Sequence, residues 1–179
     1  MRSRASAGST IGQANGVSRV IVLSDTHIRR GGKRRLPDAV YDALDDADLV
    51  LHAGDLVSDG VLEDLARYAP VKAVLGNNDV GLEEALPVEL SFDVEGVRVA
   101  MVHDSGARDG RARRMHRRFP DADVVVFGHS HIPWNEEGVD GQVLFNPGSP
   151  TERRRQPRCT YGVLEVSAGA VVRREIVPL

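Results

Sequence analysis

The feature that most constrains the fold of this chain is a series of short apolar runs, most of which end in a polar motif. Six such motifs carry four of the six histidines in the 179-residue sequence. They are Asp25-Thr26-His27, Gly54-Asp55, Gly76-Asn77-Asn78-Asp79, His103-Asp104, Gly128-His129-Ser130-His131 and Asn146-Pro147-Gly148-Ser149. An acidic or imidazole side chain at the end of a buried strand is well placed for a site at the edge of a sheet. The ordered series therefore predicts one shared site.

The first half of the chain alternates predicted strands with predicted helices. Short β-branched runs predict strands over residues 18–24, 48–53 and 71–75. Apolar residues at helical spacing predict helices that begin near Pro37 and span residues 59–68. This alternation favours parallel strands joined by helical crossovers.

The second half is richer in predicted strands. Residues 88–93 and 97–102 resemble a hairpin, and a very basic helix is predicted over residues 107–119. Further strands are predicted over residues 124–127, 142–145, 160–166 and 171–177. We therefore expect an α/β fold in which two sheets pack face to face, with helices outside and the polar loops gathered at one edge. No linker divides the chain, so residues 18–179 are predicted to form a single domain after a disordered extension over residues 1–17.

Composition limits the classes of partner. With 41% hydrophobic residues and a formal charge of −3, the chain fits a soluble globular protein that needs neither a membrane nor nucleic acid. Only 4% of the residues are aromatic, which argues against a surface that stacks on bases. No apolar run approaches the roughly 20 residues of a membrane helix. Because Cys159 is the single cysteine, no intrachain disulfide can form, and we expect a cytoplasmic location.

Arginine is concentrated in three segments, over residues 29–35, 108–118 and 153–158. One interpretation is a solvated surface combined with a general bias towards arginine. The other is a positive rim that attracts a phosphorylated substrate. The sequence leaves both open.

The residue types in the motifs suit the hydrolysis of phosphate esters. Two divalent cations roughly 3.5–4 Å apart lower the pKa of a bridging water and neutralise charge on the phosphoryl oxygens. Such a pair needs nitrogen and oxygen donors and at least one carboxylate that can bridge. The candidate donors are Asp25, His27, Asp55, Asn77, His103, His129 and His131. This mixture favours Mn²⁺, our first expectation, or Zn²⁺, Fe²⁺, Ni²⁺ or Co²⁺, over Mg²⁺ and Ca²⁺.

Spacing suggests how the donors converge. Asp25 and His27 are two positions apart, as are His129 and His131, and in extended backbone such residues project from the same face. The glycine before Asp55 would let the chain turn sharply and direct that carboxylate inward. Taken alone, each motif has an ordinary explanation as a helix cap or a turn. The complete ordered series of motifs has no such ordinary explanation.

These motifs together resemble the calcineurin-like metallophosphoesterase superfamily, and within it the small uncapped bacterial and archaeal phosphodiesterases. The resemblance extends from about Val20 to Arg158. It includes the Asn146-Pro147-Gly148-Ser149 motif and the pair Pro157-Arg158. It implies a four-layer αββα sandwich of two mixed sheets flanked by helices. It also implies a ligand set in which Asp25, His27 and His131 hold one metal, Asn77, His103 and His129 hold the other, and Asp55 bridges them.

The resemblance further implies catalytic roles for Asp55, His103 and Asn78, with Asn78 and Arg158 as substrate-binding residues. Asn78 stands where much of the superfamily has a histidine that can protonate a leaving group, which an amide cannot do. Asp104 stands where a glycine commonly follows the ligand histidine, and its carboxylate could alter metal affinity or substrate charge preference. Asn146 could contact phosphate, support the site or simply close a turn.

The predicted function is that of a metal-dependent phosphodiesterase, in which a hydroxide bridging two divalent metal ions attacks phosphorus in line. The alternatives are a protein-interaction scaffold of the same fold, as in a retromer subunit, and a phosphomonoesterase or nuclease. The expected partner is a small phosphate-ester substrate, with a homo-oligomer left open. His52 is predicted to be a buried histidine that binds no metal, and His116 to be solvated.

Overall fold

The computed structural model describes residues 16–179. The predicted extension over residues 1–17 therefore lies outside the described residues, except for the last two, which are exposed and precede the first strand. The strands are β1 (Ser18–Leu23), β2 (Leu49–His52), β3 (Val71–Ala73), β4 (Glu89–Val94), β5 (Val97–Val102), β6 (Val124–Val126), β7 (Trp134–Glu137), β8 (Val143–Asn146), β9 (Thr160–Ser167) and β10 (Ala170–Pro178). The helices are α1 (Asp38–Leu44), α2 (Gly60–Leu65) and α3 (Arg111–Arg118), with a 3₁₀ turn at Val139–Gly141. None of the helices in residues 16–179 is long and apolar enough to cross a membrane.

The first sheet has the strand order β10-β9-β1-β2-β3. Strand β1 pairs in parallel with β2, and β2 pairs in parallel with β3. Strand β9 pairs antiparallel with both of its neighbours, β1 and β10. Helices α1 and α2 connect the parallel strands, as such connections require. The carboxyl ends of β1, β2 and β3 therefore meet at one edge of this sheet.

The second sheet has the strand order β4-β5-β6-β8-β7. The central strands β5, β6 and β8 are parallel, and the hairpin strand β4 and the strand β7 run antiparallel at the two edges. Strands β5 and β6 end near the edge of the first sheet at which the loops after β1, β2 and β3 lie. His103, after β5, contacts Asp55, and His129, after β6, contacts Asn77.

Side-chain alternation along the strands produces the layers. Every second residue, such as Val20 and Val22 in β1 or Val99 and Met101 in β5, lies in a core between the sheets. The opposite face of the first sheet packs against α1 and α2, while Met115 of α3 packs on the outer face of the second sheet. The result is the predicted αββα sandwich of two mixed sheets.

Two predicted helices are shorter than the sequence pattern indicated. In α3 the predicted residues 107–110 form a loop instead, because Gly106 and Gly110 adopt φ values of +74° and +71°, which a right-handed helix excludes. Arg114 ties this loop to the helix by donating from Nε to the Ser105 carbonyl oxygen at 2.8 Å. Helix α2 likewise covers only Gly60–Leu65 of the predicted span 59–68.

Strand β7 was not predicted. Its sequence, Trp134-Asn135-Glu136-Glu137, lacks apolar alternation because it is an edge strand whose second half is exposed. It pairs with β8 from Trp134 opposite Asn146 to Glu137 opposite Val143. Tertiary pairing, which a polar edge sequence does not reveal, decides its conformation.

Candidate metal centre

Seven predicted donor side chains meet where the loops of the two sheets face each other. The first sheet contributes those that follow β1, β2 and β3, and the second sheet contributes those that follow β5 and β6. An unbroken series of contacts, none longer than 3.6 Å, joins Asp25, His131, His27, Asp55, His103, Asn77 and His129 in that order. The structure thus brings together all seven residues that the sequence singled out as donors.

The first group of donors contains Asp25, His27 and His131. His131 Nε2 lies 3.3 Å from His27 Nε2 and 3.4 Å from Asp25 Oδ1. The two imidazole rings are stacked with their centroids 5.2 Å apart. One atom from each residue can therefore contact a single ion.

The second group contains Asn77, His103 and His129. Asn77 Oδ1 lies 3.0 Å from His103 Nε2 and 2.9 Å from His129 Nδ1. Between the groups stands Asp55, whose Oδ2 is 3.6 Å from His27 Nε2 and whose Oδ1 is 3.5 Å from His103 Nε2. Each oxygen of this carboxylate thus faces a different group.

The orientation of His131 is what a cation would require. Its Nδ1 lies 2.6 Å from the Glu152 carbonyl oxygen, which carries no hydrogen and can only accept, so Nδ1 bears the proton and donates it to this hydrogen bond. In the neutral ring Nε2 then carries a lone pair, and that lone pair lies against the Asp25 carboxylate. His103 is tied in the same way, through Nδ1 to the Ala53 carbonyl oxygen at 2.7 Å. Such backbone ties are typical of metal-binding imidazoles, and the mixed donors fit a borderline divalent cation.

The two buried carboxylates have opposite electrostatic settings. Burial raises the pKa of Asp25 to about 7, against the opposing effects of the His103 charge and the Ser24 hydroxyl. Burial also disfavours the Asp55 anion, but hydrogen bonds from His103 and Asn78 hold its pKa well below the usual range. Asp55 is therefore an anion throughout the neutral range, whereas the Asp25 carboxyl gains and loses its proton near neutral pH.

The histidines are set differently in the two groups. Burial lowers the pKa of His27 and of His131, which keeps both rings neutral and able to donate lone pairs. Burial opposes the charged form of His103 too, but the hydrogen bond with Asp55 and the charges of Asp25 and Asp55 raise its pKa.

The local backbone differs from the extended geometry that we expected for the two spaced pairs. Asp25 and His27 have φ values of +55° and +47°, and His129 and His131 have +67° and +58°. These values lie in the left-handed region that side chains rarely adopt. The interpretation that extended backbone directs each pair to one face was therefore wrong. The pairs converge because surrounding contacts hold strained loops.

Asp79, which the sequence placed in a motif without giving it a role, stabilises the neighbouring loop that carries Asp55. Its Oδ2 accepts hydrogen bonds from the backbone N–H groups of Asp55 and Gly76, at 2.9 and 2.7 Å. Its Oδ1 accepts the N–H of Val57 at 2.7 Å. This buried carboxylate fixes the loop after β2 against the loop after β3.

The segment after β8 closes the site from the other side. Ser149 Oγ donates to the Asp25 carbonyl oxygen at 2.8 Å, and Thr151 Oγ1 donates to the Thr26 carbonyl oxygen at 2.7 Å. Asn146 is fully buried and donates from Nδ2 to the Gly128 carbonyl oxygen at 2.9 Å. Of the roles left open for Asn146, the structure therefore assigns support of the site and closure of its turn.

The remaining histidines behave differently from each other. His52 is fully buried with Nε2 3.1 Å from Thr26 Oγ1, and burial lowers its pKa to about 3, so it is the predicted buried histidine behind the site. His116 is only partly exposed, since its Nε2 lies 3.5 Å from Asp140 and its Nδ1 is buried. The prediction that His116 is solvated therefore holds only in part, since 31% of its side chain is exposed.

Asn78 is hydrogen-bonded directly to the Asp55 carboxylate. Its backbone N–H donates to Asp55 Oδ1 at 2.8 Å and its Nδ2 donates to Asp55 Oδ2 at 2.7 Å. The predicted substrate-binding residue Arg158 is exposed and is not among the residues that line the cleft described next. From the same arginine-rich segment it is Arg154 that reaches the site, by donating to the His129 carbonyl oxygen at 3.4 Å.

Two recesses adjoin the donors. The first, here called the basic cleft, has a volume of about 620 Å³. It is lined by His27, Arg29, Gly32, Lys33, Arg34, Val57, Asn77, Asn78, Val80 and Glu152. The second, here called the apolar groove, has a volume of about 340 Å³. It is lined by Leu75, Gly76, Asn77, Val88, Val102, His103, Asp104, Arg118 and His129.

Comparison with known proteins decides the family. The calcineurin-like phosphoesterase superfamily domain matches residues 19–169. The chain belongs to this superfamily. It is similar to a probable metallophosphoesterase of Methanothermobacter thermautotrophicus, with 39% identity over 135 residues that cover 74% of this chain and 77% of that protein. The chain is thus a probable metallophosphoesterase, a hydrolase of phosphoric esters, with candidate Asp/His metal sites.

Solved structures share the fold at lower identity. A structure described as a novel archaeal phosphodiesterase superposes with a TM-score of 0.65 at 22% identity, covering 90% of this chain and 99% of that one. Vps29 from Entamoeba histolytica complexed with Zn²⁺ superposes with a TM-score of 0.70 at 23% identity, covering 89% and 98%. These likenesses establish the α/β fold with two mixed five-stranded sheets.

Proposed function

We propose that this protein is a phosphodiesterase that hydrolyses small phosphate esters at a site for two divalent metal ions. The observation that carries the proposal is the position of Asp55, because its two carboxylate oxygens face two separate groups of donors. A carboxylate shared in this way is what a dinuclear site needs. Asp25, His27 and His131 would hold one ion, and Asn77, His103 and His129 the other.

The chain's own residues prepare this site for metal ions and substrate in two ways. When bound, two divalent cations lower the pKa of a water and neutralise charge on phosphoryl oxygens. Asn78 fixes the orientation of the bridging carboxylate through two hydrogen bonds. The basic cleft draws anions towards the donors, since Arg29, Lys33 and Arg34 lie in its wall.

One feature of the site favours esters with good leaving groups. Asn78 can donate a hydrogen bond but cannot protonate a leaving alkoxide. The preference for diesters is part of the proposal and is supported by the phosphodiesterase name of the structurally similar archaeal protein.

The site is tested by removing one ligand from each side of the proposed bridge. With Mn²⁺ present, Asp55→Asn and His103→Ala are each expected to lower kcat/KM for bis(p-nitrophenyl) phosphate more than about 100-fold, because each removes a donor. The matched control is His116→Ala, a histidine of α3 outside the site, which should keep the activity. Circular dichroism checks that all three variants are folded.

The same proteins distinguish the alternatives. Elemental analysis of the purified wild type is expected to find about two ions per chain, manganese first among them. Full activity in both ligand variants would reject this site. Bound metal without hydrolysis of any diester or monoester would favour the scaffold function, and cleavage of duplex DNA with Mn²⁺ would favour a nuclease. A cytoplasmic location is part of the proposal and is supported by the single cysteine.

A further inference from the structure

The basic cleft and the apolar groove meet at the candidate metal centre. Asn77 lies in the wall of both, and each recess also contains a donor histidine, His27 in the cleft and His103 in the groove. A phosphate held by the donors would therefore have one recess on each side. Both volumes lie in the range of roughly 300–1,000 Å³ that is typical of small-molecule pockets.

The basic cleft carries positive charge that the protein does not neutralise. Arg34 is paired with Glu152 at 3.3 Å. Arg29 and Lys33, by contrast, have no carboxylate within 4.0 Å among residues 16–179, although both line the cleft. Two unpaired cations beside a phosphate site suit a second anionic group on the substrate.

The apolar groove has the opposite character. Val88 is 62% exposed and lies with Leu75 and Val102 in its wall. The guanidinium of Arg118 is neutralised by Glu89, which accepts its Nε–H at 2.8 Å. The exposed carboxylate of Asp104 then gives the groove a negative charge, which would repel an anion.

We propose that the substrate is an asymmetric phosphodiester. One ester arm bears a second anion and lies in the basic cleft, and the other arm is an uncharged apolar group that lies in the groove. Arg29 and Lys33 select the first arm, and Val88 with Asp104 selects the second. This proposal rests on the phosphodiesterase function proposed above, because it assigns the two substituents of the same phosphate.

The anionic arm is tested with two probes, 2-phosphonoethyl p-nitrophenyl phosphate and methyl p-nitrophenyl phosphate. In both, water adds to phosphorus and p-nitrophenolate leaves, so the two probes differ only in the second arm, which is longer and anionic in one and a neutral methyl group in the other. The wild type should have the higher kcat/KM for the phosphonoethyl probe. In Arg29→Ala/Lys33→Ala the ratio of the two values is expected to fall about tenfold or more, as expected for lost charge-assisted contacts.

The matched control removes two positive charges from the same loop without touching the cleft. Arg30 and Arg35 are paired with Asp59 and Asp38 and do not line the recess. The Arg30→Ala/Arg35→Ala variant should keep the wild-type ratio. Equal ratios in both double variants would overturn the assignment of the anionic arm.

The apolar arm is tested at Val88. Val88→Asp is expected to lower kcat/KM for the phosphonoethyl probe about tenfold, because the aryl group loses an apolar wall. The control is Val172→Asp, since Val172 is comparably exposed at 56% but lies in β10. Equal effects of the two substitutions would overturn the assignment of the groove.

Binding without turnover gives an independent measurement. With zinc-loaded, ¹⁵N-labelled protein, an analogue whose aryl ester oxygen is replaced by CH₂ should shift the amide signals of Gly32 and Lys33 at one end and Val88 and Val102 at the other. Shifts confined to one recess would overturn the two-sided arrangement. If the wild type hydrolyses neither probe with Mn²⁺ or Zn²⁺, the phosphodiesterase function itself fails. Hydrolysis of both probes with unchanged ratios rejects only the asymmetric substrate.

Discussion

The Asp79 carboxylate accepts three backbone N–H groups, from Asp55, Val57 and Gly76, and is 2% exposed. A buried anion is costly unless hydrogen-bond donors surround it, and here the donors are peptide N–H groups of the two loops that carry Asp55 and Asn77. These three hydrogen bonds all come from backbone groups, so Asp79 acts on the conformation of the loop that carries Asp55.

We expect Asp79→Asn to lower the free energy of unfolding by about 2 kcal/mol, because an amide has one acceptor oxygen and turns a donor towards one of these N–H groups. Denaturant unfolding measures this change. The matched control, Asp93→Asn, alters an exposed carboxylate in β4 and should change stability by less than about 0.5 kcal/mol. Equal stabilities of the two variants would show that Asp79 has no such role.

At the scale of elements, the loop after β2 and the loop after β3 pack so closely that position 76 has room only for a glycine. A Cβ on Gly76 would overlap the backbone nitrogen and the Oδ1 atom of Asp55. A Cβ on Gly54 would lie 2.6 Å from His103 Nδ1, so the loop after β2 also approaches the second sheet closely. The donor arrangement therefore depends on backbone contact between loops.

The variant Gly76→Ala is expected to destabilise the fold by about 1–3 kcal/mol through overpacking and to weaken metal binding, because Asp55 must move. Calorimetric titration with Zn²⁺ and thermal unfolding provide the two measurements. Gly60→Ala is the control: the nearest atom to its Cβ is 3.8 Å away, and it lies at the start of α2. Metal affinity unchanged by Gly76→Ala would contradict the close-packing argument.

At the scale of the whole molecule, the candidate site joins the two sheets. Asp25, His27, Asp55 and Asn77 follow strands of the first sheet, and His103, His129 and His131 follow strands of the second. A bound cation would therefore link both halves of the sandwich. Binding to the folded chain alone stabilises it by mass action.

We expect a divalent cation at about 1,000 times its Kd to raise the free energy of unfolding by about 4 kcal/mol over the protein in EDTA. This rise in the free energy of unfolding should be larger at pH about 8 than at pH about 6, because at the lower pH the cation must displace the Asp25 proton. Thermal unfolding at both pH values measures it. Asp55→Asn is the control, and an equal metal effect in that variant would contradict a site centred on this carboxylate.

The sign of the pH effect follows from the position of the Asp25 pKa. Folding raises it from its ordinary value of 3.8 to about 7, so the metal-free folded chain binds this proton more tightly than the unfolded chain does. The resulting stabilisation is fully present below pH 3.8 and is lost as the pH rises through about 7. Metal binding and proton binding thus act at the same carboxylate in opposite directions.

The sequence alone was sufficient to predict the layered α/β fold and to single out the seven side chains that the structure brings together. Strands such as β1 and β5 are short, mostly apolar runs because both of their faces are buried, and such local runs are visible without coordinates. The donors were recognisable because Asp25, Asp55 and His103 each follow such a run closely and belong to an ordered series of motifs.

Only the tertiary structure decided the features that depend on contacts between distant segments. Strand β7 forms because β8 pairs with it, and the left-handed backbone of Asp25 and His131 persists because neighbouring loops hold it. The roles of Asp79 and Arg154, and the two recesses that meet at Asn77, likewise arise from chain segments far apart in sequence. Local residue patterns report burial and spacing, whereas the position of a carboxylate against a peptide N–H twenty or more residues away exists only once the chain has folded.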